Sequence, residues 1–220
     1  MDAKVQTPPA QAERDWWRRL ILILTRPAWV FAWVRDDSSE AAGARQEPLT
    51  AVVFLSGIGI FLATRTAGTL FDDAEFDWLL LFVEAVFAGL LVGIQNFWVV
   101  GWTVYLGGRA ADSGASYRQA RHVVGLACIP FALELLVVWP VRIAMFGSDA
   151  FRSGGSDEGA AQAVFRTIDG LTLAWAVCLL VIGVRALNGW SWPRTLASLT
   201  VAGALLTLIV FLFLGVRVGR

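Results

Sequence analysis

Residues 195–216 read TLASLTVAGALLTLIVFLFLGV, and this stretch carries no charged side chain between Arg194 and Arg217. A helix of about 20 apolar residues crosses the hydrocarbon layer of a bilayer, so the stretch predicts a transmembrane helix. The whole chain agrees, because 57% of its 220 residues are hydrophobic, only 16% are charged, and the mean hydropathy is +0.62. This composition excludes an ordinary soluble domain.

Four further apolar stretches precede this one and predict four more membrane-spanning helices. They are Pro48–Thr64, Trp78–Gly107, Arg121 to Phe146 and Val164 to Leu187. We therefore predict an all-α integral membrane protein with a five-helix transmembrane domain over residues 48–217. Prolines at 130 and 140 predict that the third helix bends or lines a cavity, because each leaves a backbone carbonyl without its helical donor.

The segment before the first span, residues 14–35, is rich in tryptophan and arginine, and we call it the arm. Its longest apolar run, Leu20 to Leu24, is too short to cross a membrane. Amphipathic rings mixed with cations are typical of a helix at the headgroup boundary, so we predict an interfacial amphipathic helix that binds anionic lipids of the bilayer. The residues that carry this prediction are Trp16, Trp17, Arg18, Arg19, Arg26, Trp29 and Trp33.

Polar composition predicts a disordered tail over residues 1–13 and a linker over residues 36–47. The 18 cationic side chains equal the 18 acidic ones, and a neutral chain has no basic field for nucleic acid. If the N-terminus is cytoplasmic, 12 of the 18 cations lie on the cytoplasmic side. The positive-inside rule therefore predicts a cytoplasmic N-terminus and a C-terminus outside.

Several polar side chains fall inside the predicted spans, where a central charge costs about 2.5–3.5 kcal/mol on insertion scales. Similar depth predicts an ion pair between Glu84 and Arg142, with Asp169 able to join it, and Glu134 lies nearest the middle of the bilayer. Two interpretations stay open: a structural pair with one protonated acid, or a relay for protons or a substrate. The complete set is Glu84, Gln95, Asn96, Glu134, Arg142 and Asp169.

Small residues at 85, 89 and 93 form a ladder along the second predicted helix. Ala85, Gly89 and Gly93 recur every four residues, and such a ladder lets another helix approach closely. The partner predicted is a helix of the same bundle, a second copy of the chain, or another membrane protein.

Motifs for catalysis are absent from the sequence, which has no nucleotide-binding loop, nucleophile elbow or zinc-protease signature. Its one histidine is His122, and its two cysteines, Cys128 and Cys178, lie in apolar runs without metal-ligand spacing. We therefore predict no catalytic residue, no metal site and no cofactor.

Residues 107–130, GGRAADSGASYRQARHVVGLACIP, contain a Ser-Tyr-Arg cluster and then a Gly-to-Pro segment that opens the third span. This arrangement resembles the Ypt-interacting protein (Yip) domain family of multi-spanning membrane proteins, with matching positions at Tyr117, Arg118, Gly125 and Pro130. The resemblance covers about residues 14–217, and it implies five membrane helices with a cytoplasmic N-terminus. The compact arm is similar to that of bacterial members, which implies the bacterial cytoplasmic membrane.

Eukaryotic members are associated with vesicle trafficking and Rab-type GTPases, and carry an Asp-Leu-Tyr-Gly-Pro motif that this chain lacks. A Rab-binding role is therefore not expected. The predicted function is that of a non-enzymatic membrane protein that organises the bilayer or scaffolds partners, related to membrane trafficking and homeostasis proteins. The alternative is a small transporter or channel component that uses Glu84, Glu134 and Arg142.

Overall fold

A computed structural model describes residues 9–64, 77–152 and 159–218, and in these stretches all regular structure is helical, as predicted. The α-helices are α1 (Pro9–Leu22), α2 (Pro27–Ala32), α3 (Ser39–Leu62), α4 (Trp78–Gln95), α5 (Gly101–Ala110), α6 (Tyr117–Ala127), α7 (Ile129–Phe146), α8 (Ala160–Asn188) and α9 (Trp192–Val218). Short 3-10 helices cover Trp33–Arg35 and Gly147–Phe151, and a π-helix, Asn96–Val100, joins α4 to α5.

Four helical stretches are long and apolar enough to cross a membrane. They are Trp78–Ala110, Tyr117–Phe151, Ala160–Asn188 and Trp192–Leu212, and they contain the second to fourth predicted spans and residues 195–212 of the fifth. The first predicted span lies in α3, which is not among them because the apolar part of that helix begins only near Pro48. The protein is thus a multi-pass membrane protein with four helices of this kind in the described part of the chain.

The small-residue ladder of α4 packs against α3 of the same chain. Ala85, Gly89 and Gly93 are all buried, and Gly57 of α3 lies opposite the two glycines. A methyl group on Gly57 would lie 2.6 Å from the backbone nitrogen of Gly93, so only glycine permits this approach. The close helix contact predicted from the ladder is therefore made within the bundle, and these residues are not available to a second copy.

The arm packs on protein along one side, whereas the sequence predicted that it lies on the membrane. Helix α1 contacts α3, and α2 contacts α8. Trp16 and Phe31 are buried in the main hydrophobic cluster, and a methyl group on Gly183 of α8 would meet the Phe31 ring at 2.9 Å. The mixture of aromatic rings and cations predicted an amphipathic segment, but composition could not show that protein covers one side of it.

Residues 36–47 were predicted to be a linker, but most of them form the first turns of α3. The helix begins at Ser39, because the side chain of Ser38 accepts a hydrogen bond from the amide of Ala41 and caps it. Pro48, which the sequence analysis placed at the start of a helix, lies inside α3. The predicted tail, residues 1–13, lies partly outside the described residues, and α1 already begins at Pro9.

Candidate functional site

A polar cluster binds the segment just after the arm to the bundle and so fixes the end of the arm; we call it the Arg45 cluster, and its residues are Asp37, Arg45, Ser116, Arg118 and His122. Arg45 is its centre and is only 1% exposed. Its Nε donates to Nδ1 of His122 at 2.7 Å, and its Nη2 lies 3.7 Å from Oδ1 of Asp37. Because Nδ1 accepts this hydrogen bond, His122 is a neutral imidazole here.

Asp37 also forms an ion pair with Arg118, the second arginine of the cluster. Nε of Arg118 donates to its Oδ1 at 2.7 Å, and the hydroxyl of Ser116 donates to its Oδ2 at 2.6 Å. Burial raises the pKa of Asp37, but these hydrogen bonds and the charges of Arg118 and Arg45 outweigh burial. The pKa of Asp37 therefore lies below its ordinary value of 3.8, and the carboxylate stays ionised near neutral pH.

The start of α6 supplies the next contacts to the arm. Ser116 and Gln119 form a capping box, in which each side chain accepts a hydrogen bond from the other residue's backbone amide. The side-chain nitrogen of Gln119, Nε2, also donates to the backbone carbonyl oxygens of Val34 and Arg35, at 3.2 and 2.8 Å. One side chain thus caps α6 and holds the end of the arm.

Two arginines at the same end of the molecule bind the C-terminal carbonyls of helices. Nε of Arg35 donates to the carbonyl oxygen of Ala186 at 2.8 Å, at the end of α8. Nε of Arg194 donates to the carbonyl of Ala111 at 3.1 Å, just after α5. Cations are favoured there because the helix dipole is negative at its C-terminus.

Tyr117 and Arg121 belong to an aromatic group beside the cluster. The hydroxyl of Tyr117 donates to the carbonyl of Trp98 at 2.9 Å, and the guanidinium of Arg121 lies 3.9 Å from the Trp98 ring centroid. Close cation–aromatic stacking of this kind stabilises by about 0.5–2 kcal/mol. Tyr117 and Arg118, two positions of the sequence motif, therefore connect α6 to the π-helix and to the arm.

Gly125 and Pro130 lie where the third predicted span is interrupted. Helix α6 ends at Ala127 and α7 begins at Ile129, so Pro130 occupies the first turn of a new helix, where its missing N–H is tolerated. A methyl group on Gly125 would lie 2.7 Å from Cδ1 of Leu49, which fixes how closely α3 approaches. The expectation of a break in this segment is confirmed.

A cavity of about 580 Å³ lies beside this interruption. We call it the bundle cavity, and its walls are mostly aliphatic side chains of α3, α6, α7, α8 and α9. Its polar lining comes from Asn96, Glu134 and Asp169. Asn96 begins the π-helix, a helical irregularity that is frequent at functional sites. The third span thus lines a cavity, which is one of the two alternatives that its prolines predicted.

Glu134 is 7% exposed. Its carboxyl group lies beside the carboxyl group of Asp169 and the hydroxyl group of Thr172. Nη1 of Arg142 lies 3.9 Å from Oδ2 of Asp169. Arg142 therefore forms its ion pair with Asp169, whereas the predicted pair was Arg142 with Glu84. Of the two acids predicted to lie near Arg142, Asp169 is the one that pairs with it and Glu84 is not, because similar depth along a helix does not specify which neighbour a side chain faces.

The remaining predicted polar residues lie elsewhere. Glu84 is half-buried, does not line the bundle cavity, and has a buried Oε2 without a hydrogen-bond partner. Gln95 is exposed. In the arm, Arg18, Arg26, Trp17, Trp29 and Trp33 are exposed, Arg19 is half-buried over the rings of Trp16 and Trp33, and Trp16 is buried.

The Arg45 cluster was not predicted from the sequence, because Asp37 and Arg45 lie in the segment predicted to be a linker. One signal was present: Ser116 followed three residues later by Gln119 is a capping-box pattern that marks the start of α6. No local pattern indicates that Arg45 is buried against His122, 77 residues away. Among the described residues, no group of three or more His, Cys, Asp or Glu side chains is placed to hold a metal ion.

Comparison with known proteins gives one match. The family model described as Yip1 domain matches residues 21–214, which include α2 to α8, most of α9, the Arg45 cluster and the lining of the bundle cavity. No curated protein and no solved structure matches the chain.

Proposed function

Because the chain belongs to the Yip1 domain family, we propose that it is a non-enzymatic membrane protein that organises the bilayer or holds partner proteins at its surface. The observation that carries this proposal is the arm, one side of which packs on the bundle while three of its four tryptophan rings and two of its arginines, Arg18 and Arg26, are exposed. Trp17, Trp29 and Trp33 are 42%, 48% and 44% exposed, next to exposed Arg18 and Arg26. Such a surface fits a headgroup layer that contains anionic lipid.

Attachment of the arm is central to the proposal, because a free amphipathic helix would bind lipid without affecting the bundle. Here Arg35 binds the end of α8, and Gln119 binds the end of the arm. Lipid contacts on the arm are therefore coupled to helices that cross the membrane. This coupling is the physical route by which the protein would sense or organise the bilayer around it.

We expect full-length protein to enrich anionic lipid at its surface through Arg18 and Arg26. Each exposed arginine near an anionic membrane contributes about 1 kcal/mol, so R18Q/R26Q should weaken the preference by about 2 kcal/mol, or about thirtyfold. The measurement is electron spin resonance of spin-labelled phosphatidylglycerol and phosphatidylcholine around protein in nanodiscs, at low and high salt.

The matched control is R166Q, which removes an exposed arginine near the start of α8, at the opposite end of that helix from Ala186. It should keep the preference for phosphatidylglycerol. If wild-type protein shows no such preference at low salt, or if R166Q weakens it as much as R18Q/R26Q does, the arm is not the lipid-binding surface.

We further propose that α3 is a fifth crossing, that the N-terminus is cytoplasmic, and that the protein resides in a bacterial cytoplasmic membrane. The close packing of Gly57 on α4 supports a crossing, because α3 then lies along a helix long enough to span. The contacts of Arg35, Arg118 and Arg194 gather arginine-rich segments at one end of the molecule. That end is the cytoplasmic one by the positive-inside rule.

Five crossings place the two termini on opposite sides, whereas four would place them on the same side. A C-terminal alkaline phosphatase fusion, active only outside the cytoplasm, should therefore be active. A C-terminal green fluorescent protein fusion should be dark when exported by the same route. The reverse pattern would exclude this topology.

A further inference from the structure

We propose that the bundle cavity binds a lipophilic amine, with an ammonium group between Glu134 and Asp169 and a single alkyl chain along the aliphatic wall. This inference goes beyond the function proposed above, since that function uses the arm and the surface, and this one uses the interior. The volume of the bundle cavity, about 580 Å³, lies within the range of small-molecule binding sites, about 300–1,000 Å³.

Charge in the cavity favours a cation. Glu134 and Asp169 lie side by side, and Arg142 at 3.9 Å from Asp169 supplies one positive charge to two carboxyl groups. Oδ1 of Asp169 is buried and accepts no hydrogen bond from the described residues. Charge balance therefore requires either a retained proton or a second cation, and an ammonium group supplies both the charge and N–H donors.

The rest of the lining selects an apolar chain. Leu173, Ala176, Val177 and Leu180 of α8, with Leu206 of α9, supply an aliphatic wall. Leu173 and Val177 are exposed, so the cavity opens at the side of the bundle and not only along its axis. A ligand that arrives from the acyl-chain region of the bilayer can enter there.

A single-chain amine fits better than a phospholipid that carries an amine. The phosphate of such a lipid would add a negative charge beside two carboxyl groups, and like charges at this distance repel strongly in a medium of low dielectric. A fatty acid is excluded for the same reason. A fatty alcohol can place its alkyl chain against the apolar wall, but it brings no positive charge to the two carboxyl groups. The alkyl series of amine, alcohol and acid therefore separates charge recognition from simple apolar burial.

The test is isothermal titration calorimetry of full-length protein in neutral nanodiscs, with empty nanodiscs as the blank, against dodecylamine, dodecanol and dodecanoate at pH 7. We expect dodecylamine to bind at least tenfold more tightly than dodecanol, and dodecanoate not to bind. E134Q and D169N should each bring the amine down to the affinity of the alcohol. E84Q, which removes a carboxyl group outside the cavity, should leave the preference intact.

Two glycine variants test the site without changing charge. Gly170 lines the cavity, and Gly203 of α9 does not. A Cβ added at either glycine would have no other atom within 4 Å. G170L should block both dodecylamine and dodecanol, and G203L should block neither. This pair remains informative if E134Q or D169N fails to fold.

Equal affinity of wild-type protein for amine and alcohol would overturn the proposal and leave an apolar cavity only. Retention of the amine preference by both E134Q and D169N would also overturn it. So would amine binding by G170L at the wild-type affinity, because the ligand would then lie outside the bundle cavity. None of these results bears on the arm, whose lipid preference is measured separately.

Discussion

Replacing Gly57 by alanine is expected to lower the free energy of unfolding by about 3 kcal/mol, the upper end of the usual cost of overpacking, because α3 and α4 can no longer approach as closely. The added methyl group would overlap the carbonyl oxygen of Gly89 and lie 2.6 Å from the amide nitrogen of Gly93. Both are backbone atoms, which cannot move aside as a flexible side chain does. The two helices must move apart, which also exposes the buried face of α4 on which Ala85 lies.

Gly43 provides a matched control on the same helix. It is exposed, and a methyl group there meets no atom within 4 Å. Alanine is favoured over glycine in a helix by about 1 kcal/mol, so G43A should raise the free energy of unfolding slightly. Titration with sodium dodecyl sulfate, followed by far-UV circular dichroism, measures both variants. Unfolding of G57A at or above the wild-type midpoint would show that the two helices are not in contact there.

Replacing Asp37 by alanine is expected to lower the free energy of unfolding by about 3–5 kcal/mol, because it removes the main counterion of the buried Arg45 and leaves only the weaker attraction of Asp36. Arg118, which is 40% exposed, can return to water, but Arg45 at 1% exposed cannot. His122 accepts a hydrogen bond from Arg45 but supplies no negative charge. The loss should therefore be far larger than the loss of a surface ion pair.

Two further variants separate charge burial from lost contacts. D37A/R45M removes the stranded cation together with its counterion, and it should regain at least half of the stability lost in D37A. E47A removes an exposed carboxylate from the same helix and should change stability by less than about 0.5 kcal/mol. If D37A and E47A behave alike, the Arg45 cluster does not hold the arm to the bundle.

Acid should reproduce part of the D37A effect. The pKa of Asp37 is lowered in the folded protein, so its contribution to stability is fully present above 3.8, its ordinary value. That contribution is lost as the pH falls from there through the lower pKa of the folded state. Wild-type protein should therefore lose more stability than D37A between pH 5 and pH 3, as measured by the same detergent titration.

Prediction of the site from sequence succeeded in part, and residues of α6 and α7 show why. The motif positions Tyr117 and Arg118 were named from the sequence, and a bend or a cavity at the third span was expected from its prolines. These are local signals, since proline, glycine and capping residues act on their own turns. Asp37 and Arg45 were missed, because their partners lie 77 to 81 residues away in the chain.

The sequence by itself determined that this is a helical membrane protein, because apolar length and the positions of charges are properties of each segment alone. It also determined that α4 has a face on which another helix can pack closely. Tertiary structure alone decided that this helix is α3, that protein covers one side of the arm, that Arg45 is buried, and that Arg142 pairs with Asp169 and not with Glu84. Each of these depends on which helices become neighbours, and hydropathy and periodicity specify a face but not the residue that meets it.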